Sequence, residues 1–210
     1  MFVSRRSLLV MTGAAAALAA CEQGGASAQN SGSDMSIGNL DSRVHLIEYA
    51  STTCPHCAQF HETVFPTIKS NYIDTNRIRF TFREFPTPPA PVAVAGFQLA
   101  RCGGADANTY MTRIGVLFQQ QRAILQTGTM GGVRDALLAI GRGAGLSDDQ
   151  VMACITDQTA PPRIQQTVQD AVDRYNVSGT PALILNERLL PASETTLEAL
   201  SAALDRALAG

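Results

Sequence analysis

The chain has 210 residues, with 16 Lys plus Arg against 18 Asp plus Glu, a formal net charge of −2 and 45% hydrophobic residues. This nearly neutral composition has no basic cluster, which argues against nucleic acid as a partner, and it is ordinary for a globular domain. The five cysteines are the feature of the composition that bears most directly on function.

Residues 1–28 have the pattern of an export signal: Arg5 and Arg6 form a charged start, and the apolar run that follows is too short to span a bilayer. Residues 18–21, Leu-Ala-Ala-Cys, resemble the bacterial lipobox, which implies cleavage before Cys21 and its lipidation. Residues 26–28, Ala-Ser-Ala, offer an ordinary cleavage site instead, and the arginine pair also resembles a twin-arginine signal. Every one of these alternatives predicts an exported protein, which in a bacterium places it in the periplasm, with a lipid anchor in the membrane if Cys21 is modified.

Residues 22–36 are rich in Gly, Ser, Gln and Asn and have no apolar periodicity, so we expect a flexible tether there. An apolar, strand-like run follows at residues 44–50.

Residues 54–57, Cys-Pro-His-Cys, come directly after this strand and open a helical apolar repeat. The first N–H groups of a helix lack intrahelical partners and carry the positive end of the dipole, so a thiolate is favoured there. Pro55 suits the first helical position because its missing N–H costs nothing. The spacing of three places Cys57 one turn below Cys54 on the same face. This arrangement predicts a redox-active dithiol.

Two alternatives compete with the redox interpretation. His61 would make a third zinc ligand after Cys54 and Cys57, but a structural zinc site needs four ligands and no other cysteine lies near a histidine. An inert disulfide that closes a four-residue loop would restrict the unfolded chain very little. We therefore favour thiol–disulfide chemistry.

Later segments complete a small α/β pattern. Alternation at residues 78–83 predicts a strand, and four prolines between residues 86 and 91 end it. About eighty residues of helical periodicity follow. Residues 182–190 then predict a hairpin with an Asn-Glu turn. A last helix is predicted to begin with a capping box at Thr195 and Glu198. Strand, helix, strand, helical block, hairpin and helix describe an α/β sheet with a helical insertion.

Signal cleavage removes Cys21 from the count and leaves four cysteines, an even number that fits two disulfides in an exported protein. With Cys54 and Cys57 as the active pair, Cys102 and Cys154 are left to form a structural disulfide. Both lie on apolar helix faces, so the alternative is two buried free cysteines.

The chain resembles the thioredoxin-fold disulfide oxidoreductases of the DsbA family over residues 37–210. The inner dipeptide of the motif at 54–57 is the one that this family carries. Further matches are Phe-Pro-x-x-Lys at 65–69 and Arg-Glu-Phe-Pro at 83–86, as in the branch common in alphaproteobacteria. The resemblance implies an α/β thioredoxin fold with an inserted helical subdomain. We place the thioredoxin-like part at residues 37–88 and 162–210 and the insertion at 89–161.

The resemblance also implies roles for individual residues. Cys54 would be the attacking thiol with a depressed pKa, Cys57 the resolving thiol, and His56 a stabiliser of the thiolate. Glu48 matches an acidic residue in the strand before the motif, where it would handle a proton near Cys57 or form a structural pair. Thr180-Pro181 matches the loop that carries a cis-proline, whose backbone pairs with an extended substrate. His45 and His61 are assigned to strand and helix surfaces without a role.

The predicted function is therefore that of a thiol:disulfide oxidoreductase that donates the Cys54–Cys57 disulfide to reduced exported proteins and is re-oxidised by a quinone-linked, DsbB-like membrane oxidase. The chemistry resides in two sulfur atoms, so no cofactor is expected. Thr180 stands where well-known oxidases of the family often have valine, which leaves the redox poise and the choice of re-oxidising partner open. A reductase or isomerase, or a copper-delivery protein that uses the same cysteines, is the alternative.

Overall fold

The protein is described here by a computed structural model over residues 34–210. The predicted export signal, lipidation at Cys21 and most of the tether lie outside the described residues. Met35 and Ser36, which the composition assigns to the tether, belong instead to the first strand, because their backbone pairs with Phe82 and Thr81. Within the described part of the chain, no helix has both the length and the apolar character needed to cross a bilayer.

Five strands form one mixed sheet in the order β1-β3-β2-β4-β5. The strands are β1 (Met35–Gly38), β2 (His45–Ala50), β3 (Arg79–Glu84), β4 (Ala182–Leu185) and β5 (Arg188–Leu189). β2 and β3 run parallel, and the other three pairings are antiparallel. The predicted hairpin is present as β4 and β5, with Asn186 and Glu187 both at positive φ in its turn. The central strand β2 therefore has a neighbour on each edge.

Eight α-helices occur within residues 34–210. They are α1 (Pro55–Thr63), α2 (Phe65–Ile68), α3 (Ala90–Arg101), α4 (Ala107–Gln126), α5 (Met130–Gly143), α6 (Asp148–Ile155), α7 (Ala160–Tyr175) and α8 (Leu197–Ala209). The apolar repeat after the dithiol is divided between α1 and α2, because Pro66 has no N–H for the carbonyl one turn earlier. Helices α3 to α6 lie inside the predicted insertion, whose boundaries stay a prediction.

The predicted cap of the last helix is wrong by one residue. Thr196, and not Thr195, is the N-cap, and its hydroxyl accepts a hydrogen bond from the Ala199 N–H. Thr195 ends a short 3-10 turn and donates its hydroxyl to the Ala192 carbonyl. In the sequence, either of the two adjacent threonines could serve as the N-cap of the last helix. The 3-10 turn that precedes them determines that Thr196 does so.

Alternation along β2 determines which helices its side chains meet. Ile47 and Tyr49 pack against α7 on one face of the sheet. Leu46 and Ala50 point to the other face and belong to the larger core, which α1, α8 and the inserted helices share. Glu48 lies between these two in the same register, so its carboxylate enters the core beneath α1.

Glu84, the last residue of β3, connects the sheet to three helices. Its buried carboxylate accepts hydrogen bonds from Arg101 of α3 at 2.7 Å and from the Tyr110 hydroxyl of α4 at 3.0 Å. Arg163 of α7 donates to the second oxygen. A buried carboxylate is tolerated only when it is paired and hydrogen-bonded. This cluster therefore fixes the insertion and α7 against the sheet.

Cys102, which follows α3, is joined by a disulfide to Cys154 of α6, 52 residues later in the chain. Replacing both residues with Ala should lower the free energy of unfolding by about 4 kcal/mol, since the bridge restricts the unfolded chain. Denaturant titration of parent and variant measures this difference. Thiol exchange at Cys54 should be nearly unchanged at temperatures where the fold persists. A variant that stays folded but exchanges slowly would show that the disulfide acts on function.

Candidate active site at the start of the first helix

Cys54 and Cys57 lie at the N-terminus of α1, where the sequence predicts them. Cys54 is the N-cap residue with extended backbone, and Pro55 takes the first helical position. The Cys57 and Ala58 N–H groups donate to the Cys54 carbonyl at 3.1 and 3.2 Å, which closes the first turn. Both cysteines are free thiols in the structure. Cys54 is 7% exposed and Cys57 is 0% exposed, so Cys54 is the thiol that a substrate can reach.

The loop between β2 and Cys54 is buried, and its side-chain hydroxyls are hydrogen-bonded. The Ser51 and Thr53 hydroxyls bond to each other at 2.9 Å, and Thr53 Oγ1 donates to the Thr87 carbonyl at 2.8 Å. The Thr87 N–H donates to Ser51 Oγ at 3.0 Å. Thr52 Oγ1 donates to the Ala93 carbonyl of α3 at 3.2 Å. Side-chain hydroxyls therefore supply the hydrogen bonds that a paired strand would supply in a sheet. These bonds hold Cys54 in place.

Gln121 of α4 is a site residue that the sequence analysis misses. Its Nε2 donates to the carbonyls of Thr52 at 2.9 Å and of Cys54 at 3.0 Å. The side chain is buried and supplies the Thr52 carbonyl with a partner away from water, whereas the Cys54 carbonyl also accepts from the Cys57 and Ala58 N–H groups. Gln121 follows two exposed glutamines, and nothing in that run distinguishes the one that turns inward.

The environment of Cys54 favours the thiolate. The pKa of Cys54 falls from 9.0 to about 5, mainly because the Cys57 thiol donates a hydrogen bond to it. The Thr180 side chain and the backbone N–H groups of Cys57 and His56 stabilise the thiolate further, while burial opposes them. The thiolate stabilises the reduced fold at neutral and alkaline pH, and this contribution is lost as the pH falls toward 5.

Cys57 has the opposite environment. Burial raises the pKa of the Cys57 thiol far above its usual value, and the hydrogen bond to Cys54 and the negative charge of Glu48 raise it further. Cys57 therefore keeps its proton when the pair is reduced. Two cysteines one helical turn apart thus have opposite preferred protonation states.

Thr180 and Pro181 face the dithiol from the loop before β4. Their peptide bond is cis, as the resemblance implies, and the Thr180 carbonyl lies 3.3 Å from Cys54 Sγ. The Thr180 hydroxyl is buried and has no hydrogen-bond partner among the described residues, so it is available to the Cys54 thiolate. Both residues line a groove of about 620 Å³ with the exposed His56 of α1. The backbone N–H of His56 contributes to the thiolate site, whereas a role of its imidazole stays a prediction.

The assignment of His61 to a solvated helix surface is wrong. The His61 side chain is only 5% exposed, and its Nε2 lies 2.8 Å from Oε2 of Glu48, which is 0% exposed. The imidazole lies between the rings of Phe65 and Phe118, each at a centroid distance of 4.4 Å. The sequence shows the helical position of His61, but only the fold shows that this side of α1 is covered by α4. His45 is half-buried and bonds to Thr81 Oγ1 at 2.7 Å, away from the dithiol.

The zinc alternative required His61 to turn toward the two cysteines, and its Nε2 is committed to Glu48 instead. Among the described residues, no group of three or more His, Cys, Asp or Glu side chains is placed to hold a metal ion. The opposite environments of Cys54 and Cys57 suit a nucleophile and a resolving thiol, and these roles stay a prediction.

Comparison with known proteins agrees with this geometry. The thioredoxin family model matches residues 30–206. Proteins of Rickettsia bellii and Rickettsia typhi, each provisionally named a protein-disulfide oxidoreductase, are 31% and 33% identical over 175 residues, which is 83% of this chain. The chain spans 64% and 62% of the lengths of these two relatives.

Solved structures share the fold. Wolbachia pipientis alpha-DsbA1 aligns with a TM-score of 0.71 at 23% identity and covers 84% of this chain and 92% of its own. BdbD from Bacillus subtilis aligns with a TM-score of 0.70 at 17% identity, over 84% of this chain and 94% of its own. The predicted thioredoxin fold with an inserted helical subdomain is thereby confirmed.

Alkylation of reduced protein by iodoacetamide should follow the thiolate of Cys54, so its rate should rise with pH to a plateau with a midpoint near 5. Cys57→Ala should shift this midpoint upward because it removes the largest stabiliser of the thiolate. Cys54→Ser should show no fast alkylation, because the remaining thiol stays protonated. A parent midpoint near 9 would contradict the described environment.

Gln121→Leu should lower the free energy of unfolding by about 1–3 kcal/mol, because it removes two buried hydrogen bonds and takes from the Thr52 carbonyl the partner that Gln121 supplies. Denaturant titration measures the loss, and Gln120→Leu is the matched control on the exposed side of α4. Equal stability of the two variants would show that the Gln121 hydrogen bonds contribute nothing to the loop.

Proposed function

Because the chain belongs to the thioredoxin family and has the fold of the DsbA-type proteins, we propose that it is a thiol:disulfide oxidoreductase that introduces disulfides into reduced exported proteins. The observation that carries this proposal is the opposite environment of the two thiols. Cys54 is reachable and stabilised as a thiolate, whereas Cys57 is buried and protonated.

The reaction begins with the Cys54–Cys57 disulfide. A substrate thiolate attacks Cys54 Sγ, a mixed disulfide forms, and Cys57 leaves and takes up a proton. A second substrate thiolate then attacks the substrate sulfur of the mixed disulfide. Cys54 leaves as a thiolate, the substrate is oxidised and the protein is reduced by two electrons. Cys54 is the better leaving group of the two because its pKa is the lower.

The same environment supports the oxidising direction. Whatever stabilises the reduced form makes the disulfide easier to reduce and so a stronger oxidant. The Cys57 hydrogen bond, the helix N-terminus and the Thr180 side chain all stabilise the Cys54 thiolate. We expect the His56 imidazole, which is exposed at the same helix end, to add to this effect.

The groove beside Thr180 and Pro181 is the proposed site for a substrate segment. The apolar residues Phe60, Val177 and Leu189 line it, together with residues 178–180 of the loop before Pro181. An extended, unfolded segment presents both apolar side chains and free backbone groups, which is what such a groove can hold. Reduced proteins that have just been exported expose segments of this kind.

Export to the periplasm and a lipid anchor at Cys21 belong to this proposal and rest on the N-terminal sequence. Re-oxidation by a quinone-linked, DsbB-like membrane oxidase completes the cycle, since each turnover leaves two electrons on Cys54 and Cys57. A reductase is the alternative, and the reduction potential separates the two. An oxidase requires a value above about −200 mV, more oxidising than the glutathione pool, whereas a value near about −270 mV would favour the reductase.

Cys54→Ser should abolish oxidation of a reduced model substrate, since no sulfur remains at the reachable position. Cys57→Ser should accumulate mixed disulfides through Cys54, because the resolving thiol is absent. Non-reducing electrophoresis and mass spectrometry of the trapped species distinguish the two variants. The reverse pattern, with trapping by Cys57 alone, would overturn the assignment of nucleophile and resolving thiol.

A further inference from the structure

Gln121 of α4 contacts the backbone at the point where the dithiol helix begins. Its side-chain amide has two hydrogens on Nε2, one for the Thr52 carbonyl at 2.9 Å and one for the Cys54 carbonyl at 3.0 Å. The residue is only 6% exposed. A buried amide that uses both hydrogens on one short segment fixes the direction of two carbonyls at once, and with them the peptide units that carry these carbonyls.

The segment that Gln121 contacts is a tight turn that ends at Cys54. The Cys54 N–H donates to the Ser51 carbonyl at 3.1 Å, which is the hydrogen bond that closes a four-residue turn. The first turn of α1 begins at the same residue, because the Cys54 carbonyl accepts from the N–H groups of Cys57 and Ala58. Cys54 therefore belongs to both turns, and its sulfur moves if either turn rotates.

One N–H group at the start of the helix serves two acceptors of the same residue. The Cys57 N–H donates to the Cys54 carbonyl at 3.1 Å. It also lowers the pKa of the Cys54 thiol, after the larger contributions of the Cys57 thiol and the Thr180 side chain. Hydrogen bonds shared in this way are common at helix ends. Gln121 is a further donor to the same carbonyl, so the carbonyl depends less on the Cys57 N–H, and this N–H can turn further toward the sulfur.

Gln121 lies outside the proposed substrate groove. The groove is lined by α1, by the loop before β4 and by the segment that follows β4, and Gln121 is not among its lining residues. Instead, Gln121 lines a narrow recess with Thr52, Thr53 and Leu117. A substrate segment in the groove meets α1 and the loop before β4, so an influence of Gln121 on thiol exchange has to pass through Cys54.

Resting on the proposed function, we propose that Gln121 is a positioning residue for thiol exchange at Cys54. From the helical insertion it holds the turn at residues 51–54 and the first turn of α1 in the arrangement in which the backbone donors face the Cys54 sulfur. The insertion thereby stabilises the thiolate and contributes to the oxidising strength of the disulfide. It does so through the backbone carbonyls that Gln121 binds, and not through a contact with substrate.

The test compares two buried glutamines. Gln121→Met keeps an unbranched side chain of similar length and removes the N–H donors. Gln98→Met is the matched control, because Gln98 of α3 is also 6% exposed and its amide donates to the Asp157 carbonyl, beside the Cys102–Cys154 disulfide. Gln121→Asn keeps the amide but shortens the side chain by one methylene. It should shift every quantity below in the same direction as Gln121→Met, and it replaces that variant if Gln121→Met does not fold.

Two measurements report directly on Cys54: the pH midpoint of thiolate absorbance in the reduced protein, and the equilibrium of the dithiol with glutathione. In Gln121→Met the midpoint should rise by about one pH unit, since a thiolate with weaker donors has a higher pKa. At neutral pH the reduced form is then less stable, so the equilibrium should shift about tenfold toward the protein disulfide. This factor corresponds to a reduction potential lower by about 30 mV. Gln98→Met should keep both parent values.

A thermodynamic cycle gives an independent check. If Gln121 favours the thiolate, its hydrogen bonds stabilise the reduced fold more than the oxidised fold. Gln121→Met should therefore raise the unfolding equilibrium constant by a factor that is about tenfold larger in the reduced protein than in the oxidised protein, which matches the shift against glutathione. A residue that only stabilises the fold loses the same stability in both forms, as Gln98→Met should. Denaturant titration of the two redox forms measures these factors.

Two results would overturn the positioning role. Gln121→Met with the parent midpoint, the parent equilibrium and equal stability losses in both redox forms would make Gln121 a purely structural residue. Equal shifts in Gln98→Met would assign the effect to general destabilisation. The proposed function fails separately, if the parent protein does not oxidise a reduced model substrate. An active parent together with an unchanged Cys54 in Gln121→Met refutes the positioning role alone.

Discussion

The requirement that two thiols one helical turn apart be solvated differently governs the rest of this molecule. Cys54 must be reachable and anionic, and Cys57 must be enclosed and neutral. The helix that carries them must therefore pack against the sheet so that the turn with Cys57 is buried, while Cys54 at its N-terminus stays accessible to a substrate. The covered turn lies on the face of β2 that carries Leu46, Glu48 and Ala50. The open residue lies at the helix N-terminus, where unpaired N–H groups favour a thiolate.

The helical insertion is part of this arrangement and not an appendage to it. Gln121 of α4 donates hydrogen bonds to the carbonyls of Thr52 and Cys54, in the loop that leads into α1. Phe118 of the same helix covers His61. Glu84 then holds α3, α4 and α7 to the end of β3. The site therefore depends on contacts between segments that lie more than sixty residues apart in the sequence, as Gln121 and Cys54 do.

Burial also explains why the acidic residue in β2 has a histidine beside it. A lone carboxylate in this position would be strongly destabilising, and a fixed cation would attract the Cys57 thiolate as well as the carboxylate. An imidazole differs from both, because it can be neutral or charged near neutral pH and can pass a proton on.

The amino-acid sequence by itself determined the dithiol at 54–57, the start of its helix at Pro55, the hairpin after Pro181 and the two pairs of cysteines. All of these are local patterns or simple counts, in which residues a few positions apart specify their own geometry. The resemblance added the thioredoxin fold with its insertion. The strand at Met35–Gly38 was not foreseen, because a short edge strand depends on the partner that it pairs with.

Only the tertiary structure decided what surrounds the dithiol. Gln121 and its exposed neighbours are the same residue type, and His61 occupies a helix position that would be solvated if α4 did not cover it. Glu48 could be recognised as a buried acid from its strand, but its partner could not. Hydrogen bonds and burial between distant segments follow from the packing of whole helices, and no periodicity within a single segment records them.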